Sequence, residues 1–169
     1  MKCFSKMLLT AAAGWLAMSL TMLVTFRGIG FGWHGHGLLL DPRWQCPKLI
    51  AVWTQLEPLP LIIARPPIII FGLYLFAFAH AVIYRTQAAH WPSGVTTRAL
   101  RLAALIFLVC YCFWEFFTPF NQFGEPLPLI GLELVFWALV ALAESFAIAF
   151  AAERFWPCLR ESCTTRESS

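Results

Sequence analysis

The chain has 169 residues, of which 60% are hydrophobic and only 12% charged, with 16 Phe and 8 Trp; its mean hydropathy is +0.71. A water-soluble domain of this size has too little interior to hide so much apolar surface, and a disordered chain needs the opposite composition, so both classes are excluded. The net charge of +3 comes from 12 Lys+Arg against 9 Asp+Glu without a basic run, which argues against nucleic acid and for the lipid bilayer as the main partner.

A bilayer-spanning helix needs roughly 20 apolar residues, and four stretches qualify: 7–26, 66–84 with a possible start at Leu59, 102–118 and 129–152. The expected fold is therefore an all-α integral membrane protein with four transmembrane helices. The first stretch follows Lys2 and Lys6, as a signal peptide would, but its apolar run is long and Thr25-Phe26-Arg27 is no small-residue cleavage site, so a retained helix is expected. Lys2, Lys6, Arg85, Arg98, Arg101, Arg154, Arg160 and Arg166 fall on one side of the membrane; Arg27, Arg43, Lys48 and Arg65 fall on the other. The positive-inside rule then puts both termini in the cytoplasm and the 27–65 and 119–128 connections outside. A bacterial cytoplasmic (inner) membrane is the expected location.

The 27–65 connection opens with five glycines between Gly28 and Gly37. Pro47, then Leu49, Val52, Trp53 and Leu56 at helical spacing, with Pro58 as the stop, predict a short interfacial helix over 47–57. Within the glycine-rich stretch, His34 and His36 are two imidazoles without a completed ligand spacing, a weak metal candidate. On the other side, Trp91-Pro92-Ser93-Gly94 is a turn, and the polar segment 154–169, with Cys158 and Cys163, reads as a disordered cytoplasmic tail. The six cysteines form no disulfide framework and no CxxC pair.

The hexapeptide Glu57-Pro58-Leu59-Pro60-Leu61-Ile62 recurs as Glu125-Pro126-Leu127-Pro128-Leu129-Ile130 at an offset of 68. Each copy precedes a helix entering from the same side, so the expected architecture is two parallel-repeat helical hairpins. At that offset Arg65 aligns with Glu133, which predicts an ion pair between Arg65 and Glu133 or Glu115.

Ionisable residues at membrane depth cost several kcal/mol unless paired or hydrated. The candidates are Arg65, His80, Glu115, Glu133 and Glu144. Glu133 and Glu144 are eleven residues apart, about three turns plus 20° at 100° per residue, so both should face into the bundle, with Trp137 on the same flank. A proton or cation relay is one reading; interhelical pairing is the other. Signatures of hydrolases, metalloproteases and nucleotide-binding folds are missing from the chain, and the sequence leaves the cofactor unknown. The expected function is a non-enzymatic subunit or accessory factor associating with other membrane proteins or with itself. A small oligomeric proton- or cation-coupled transporter is the first alternative. A membrane enzyme with a site at the outer face, using Glu115, Glu125 or the histidines, is the second.

The topology is testable with the native thiols. A membrane-impermeant maleimide added to intact cells is expected to label Cys46 and to leave Cys158 and Cys163 unlabelled; labelling of the tail cysteines from outside overturns the orientation.

Overall fold

The computed structural model describes residues 2–157, and among them there is no β-strand. Four helices are long and apolar enough to cross a membrane: Cys3–Gly30, Pro66–Gln87, Val95–Phe123 and Leu127–Phe155, called here the first to fourth spans. The protein is an all-helical, integral multi-pass membrane protein. Of the expected tail, 158–169 with Cys158 and Cys163 lie outside the described residues, while Arg154 and Phe155 belong to the fourth span, which runs on to Phe155 rather than stopping at 152.

The first and fourth spans form the central pair; the second flanks the first and the third flanks the fourth. The second and third scarcely meet. Small residues make the close approaches, as expected where no hydrophobic effect drives helices together in lipid: Ala11, Ala77, Ala81, Ala99, Ala141 and Ala149 are buried at these contacts. Gly14 is the tightest case. A Cβ placed there would lie 2.6 Å from Ile148 Cγ1 and 3.5 Å from Glu144 Cγ.

The third span begins at Val95, not Leu102. Gly94, at φ +105°, makes the turn that admits it, and Arg98 in its first turns is buried against the fourth span rather than left at an interface. Two stretches of this span, Phe107–Cys112 and Phe116–Phe123, wind as π-helix, and so does Leu23–Gly30 at the end of the first span. The wider turns show in the burial pattern. Ala99, Leu102, Ala103 and Ile106 are buried at ordinary α spacing, whereas Tyr111, Glu115 and Pro119 follow at wider steps. A 3.6-residue period would carry that stripe off the bundle.

The long connection folds as a short helix at Pro47–Thr54, within the expected 47–57, and one helical turn at Leu61–Ala64. That turn breaks at Arg65 because a residue before proline is pushed out of the α region, and the second span restarts at Pro66. The two hexapeptide copies therefore take different courses. In the first, the helix begins only after Pro60 and is interrupted at Arg65; in the second it begins at Leu127 and runs unbroken to Phe155. Packing is also unequal, since the first and fourth spans lie close together while the second and third do not.

Gly14 generates a stability prediction. Gly14→Val is expected to lower stability in detergent by about 1–3 kcal/mol through overpacking. Gly72→Ala, where an added Cβ meets nothing within 4 Å, is expected to be neutral or slightly stabilising. Thermal melts of the two purified variants check this, and equal melting temperatures would refute the tight crossing at Gly14.

Candidate functional site

The buried ionisable groups fall on three levels along the fourth span. At the bundle end that carries the 31–65 connection, Glu115, Glu125 and Glu133 each place one carboxylate oxygen within 4.8 Å of the others. Glu115 and Glu125 are 0% and 1% exposed and Glu133 8%. None of the salt bridges among the described residues involves them.

Each acid is delivered by a different local device. Glu115 sits in the short α-helical stretch between the two π-helical segments of the third span. Glu125 follows Gly124, whose φ of +70° ends that span in the left-handed conformation glycine favours. The Gly124 and Glu125 amides donate to the carbonyls of Phe120 and Pro119, and the turned chain brings Glu125 back over the bundle. Glu133 lies on the inward stripe of the fourth span, which starts cleanly at a proline pair suited to a first helical turn.

The long connection covers the cluster. Arg43 donates its amide and guanidinium to the Asp41 carboxylate, holding that carboxyl below its ordinary range and fixing a turn. The turn presents Gln45, which is 4% exposed and donates through Nε2 to Glu125 Oε1 at 2.5 Å. Cys46 Sγ donates to the Phe123 carbonyl at 3.4 Å and Lys48 Nζ to the Gln122 carbonyl at 2.6 Å, tying the connection to the end of the third span. Beneath the cluster, Trp137 Nε1 donates to Glu115 Oε1. Trp137 also stacks on Tyr111 at 4.3 Å and packs on Phe26 at 4.4 Å, forming an aromatic floor. Even so, Oε2 of Glu115 and Oε2 of Glu125 are buried without a hydrogen-bond partner.

The middle level is the pair His80–Glu144, with Nδ1 and Oε1 2.8 Å apart and both side chains buried. The Phe76 ring packs edge-on to the imidazole at 4.2 Å, and Glu144 Oε2 has no hydrogen-bond partner. At the far end, Glu153 Oε1 accepts from Arg98 Nη1 and Tyr84 Oη, each at 3.1 Å. Along the fourth span these levels are about 16 Å and 14 Å apart at 1.5 Å per residue, too far for a proton to pass directly from one to the next.

Of the residues expected to matter, Glu115 and Glu133 lie together at the same height, and Glu144 is buried and meets His80. Arg65 does not join them. It is exposed and takes part in no salt bridge among the described residues, so the expected pair with Glu133 or Glu115 is corrected. The second span has no buried residue before Ala77; its end near the long connection diverges from the bundle and carries Arg65 away. His34 and His36 are exposed and belong to no group of three metal-ligating side chains among the described residues. Sequence reasoning missed Gln45, the seat of Glu125 in the cluster, and the Tyr84–Arg98–Glu153 triad. Glu153 lies nine residues beyond Glu144, two and a half turns, so it projects from the opposite side of the helix rather than continuing the stripe, and Arg98 was legible only as a loop charge. The chain matches no protein-family model, no curated protein and no solved structure.

Burial is the largest influence on Glu125 and raises its carboxyl above the ordinary 4.5; the Gln45 bond opposes this and the Glu115 charge adds to it. The native state therefore holds a proton there that the unfolded chain has released, and stability falls as pH rises above the ordinary carboxylate range. In chelator-treated protein, Glu125→Gln is expected to reduce the loss of stability between pH 5 and 8, and melts that show the wild-type slope in the variant would refute it. At the far end, replacing Arg98 takes from the buried Glu153 the guanidinium that donates to it. Arg98→Met alone is expected to cost about 3–5 kcal/mol and the double variant Arg98→Met/Glu153→Leu less. Chemical denaturation in detergent checks this, and additive losses would refute the coupling.

Proposed function

We propose that the protein is a proton- or cation-coupled membrane transporter that works as an oligomer or as the ion-binding subunit of a larger assembly. The observation that carries this reading is the convergence of Glu115, Glu125 and Glu133 in an apolar bundle without a basic partner among the described residues. Three carboxylates at that separation in an apolar bundle either hold protons or need a bound cation to stay ionised together. Structural glue needs no third acid, whereas a site that takes up and releases positive charge is well served by one. Glu144 with His80 offers a second titratable station deeper along the same helix.

The subunit reading has its own support. The second span from Pro66 to Phe76 contributes no buried residue, with Ile68, Ile70, Phe71 and Leu75 widely exposed. Four helices with three separated polar levels make no continuous pathway in one chain, and a partner helix along this half of the second span would supply the missing wall. In this reading both termini face the cytoplasm, the cluster opens toward the outside, and a bacterial inner membrane is the setting. The recurring hexapeptide then marks two helix entries of the same sense and not a symmetry axis of the bundle.

Proteoliposomes containing a trapped pH-sensitive dye test the proposal. A cation gradient is expected to drive a pH change that Glu133→Gln or Glu144→Gln slows about tenfold or more. A rate equal to that of protein-free vesicles, or one unaltered by both substitutions, removes the transport reading.

A further inference from the structure

We propose that Glu115, Glu125 and Glu133 form a binding site for one hard divalent cation of the size of Ca2+, closed by Gln45 and reached from beneath the long connection. This deepens the cation-coupled reading above and rests on it for the ion's role, though the site itself stands on its own geometry.

Three observations meet here. The first is the donor set, which is all oxygen and all carboxylate; such a set suits Ca2+, Mn2+ or Mg2+ and disfavours metals that prefer sulfur or imidazole. The second is spacing. Two ligands on one ion cannot be farther apart than twice the metal–oxygen distance, about 4.8 Å for Ca2+ and about 4.2 Å for Mg2+. The three oxygens lie within 4.8 Å of one another, close enough for all three carboxylates to share one ion after small side-chain adjustments.

The third observation is independent of the clustering. Oε2 of Glu115 and Oε2 of Glu125 are fully buried and have no hydrogen-bond partner, although both side chains are held by a donor on their other oxygen, Trp137 Nε1 and Gln45 Nε2 respectively. A carboxylate locked through one oxygen with its second buried and unsatisfied is a costly arrangement in an apolar bundle. A cation held by these carboxylates would offset the cost of their unpartnered oxygens, and the donors from Trp137 and Gln45 orient the ligands in the manner usual around bound metals.

The alternative occupant is a proton shared between Glu115 and Glu133, and the experiment separates the two. Full-length protein purified in mild detergent with chelator is dialysed against radioactive Ca2+ at pH 7.5. One ion is expected per chain, displaced more readily by Mn2+ than by Mg2+. Glu115→Gln, Glu125→Gln and Glu133→Gln are each expected to weaken binding about tenfold or more, whereas Glu57→Gln, in the exposed part of the connection, leaves it unchanged. Ca2+ should also raise the melting temperature of the wild-type protein, a measurement that needs no variant. Absence of saturable Ca2+ binding and of any melting shift in the wild type overturns the site, and so does binding that survives all three substitutions. If binding is absent while vesicles still show flux sensitive to Glu133→Gln, the site carries protons and only this inference falls. If binding is present without flux, the site stands and the transport reading falls.

Discussion

The bundle is organised around the problem of holding the carboxylates of the fourth helix inside a bilayer. Glu133 and Glu144 share one face of this helix and Glu153 projects from the other, and all three are buried; each ionised acid at such depth costs several kcal/mol unless something answers it. The answers come from neighbouring helices and differ at each level. Glu153 takes a guanidinium from the third span and a phenol from the second. Glu144 takes an imidazole from the second. Glu133 meets two further acids. The first span contributes no charge at the middle level but contributes proximity: Gly14 lets its backbone lie against Ile148 beside Glu144.

The irregular winding of the third span follows from the same constraint. A straight α-helix entering at Val95 with Arg98 directed at Glu153 would turn its opposite end away from the bundle. The π-helical stretches lengthen the period, so that Tyr111, Glu115 and Pro119 stay on the inward side and Glu115 arrives opposite Glu133 and Trp137. Pro119 sits within the second of these stretches, where its missing N–H removes one helical hydrogen bond in any case. The span thus serves two acid levels at opposite ends, one by neutralising a carboxylate and one by adding to a cluster of them.

That contrast separates the two kinds of buried charge. The Tyr84–Arg98–Glu153 triad pairs opposite charges and locks three helices together, which is what a structural ion pair does. The Glu115–Glu125–Glu133 cluster gathers like charges under a tied-down connection and leaves two oxygens without partners. Packing alone gives no reason for such a cluster, whereas uptake of positive charge does. The second span has no fully buried residue before Ala77, so much of its first half stands exposed at the cluster's end of the bundle.

Composition and hydropathy alone determined the all-helical membrane class and the four spans, because the bilayer demands long apolar helices irrespective of how they pack. Helical periodicity likewise determined that Glu133 and Glu144 share an inward face, since 100° per residue is a local property. Pairing is not local. Arg65 stands at the same sequence depth as Glu133, yet the divergence of the second span removes it, and no periodicity records where a helix leaves its bundle. Gln45 and Glu125 reach the cluster through a turn at Asp41 and a left-handed glycine at Gly124, whose consequences for direction appear only once both ends of the chain are in place. Arg98 read as an interfacial loop charge until the third span was seen to begin seven residues earlier, with Glu153 positioned to receive it. The chain's local chemistry settled which residues are costly to bury; only the tertiary packing decided which of them meet, because that depends on helix crossings and winding set by side chains far apart in sequence.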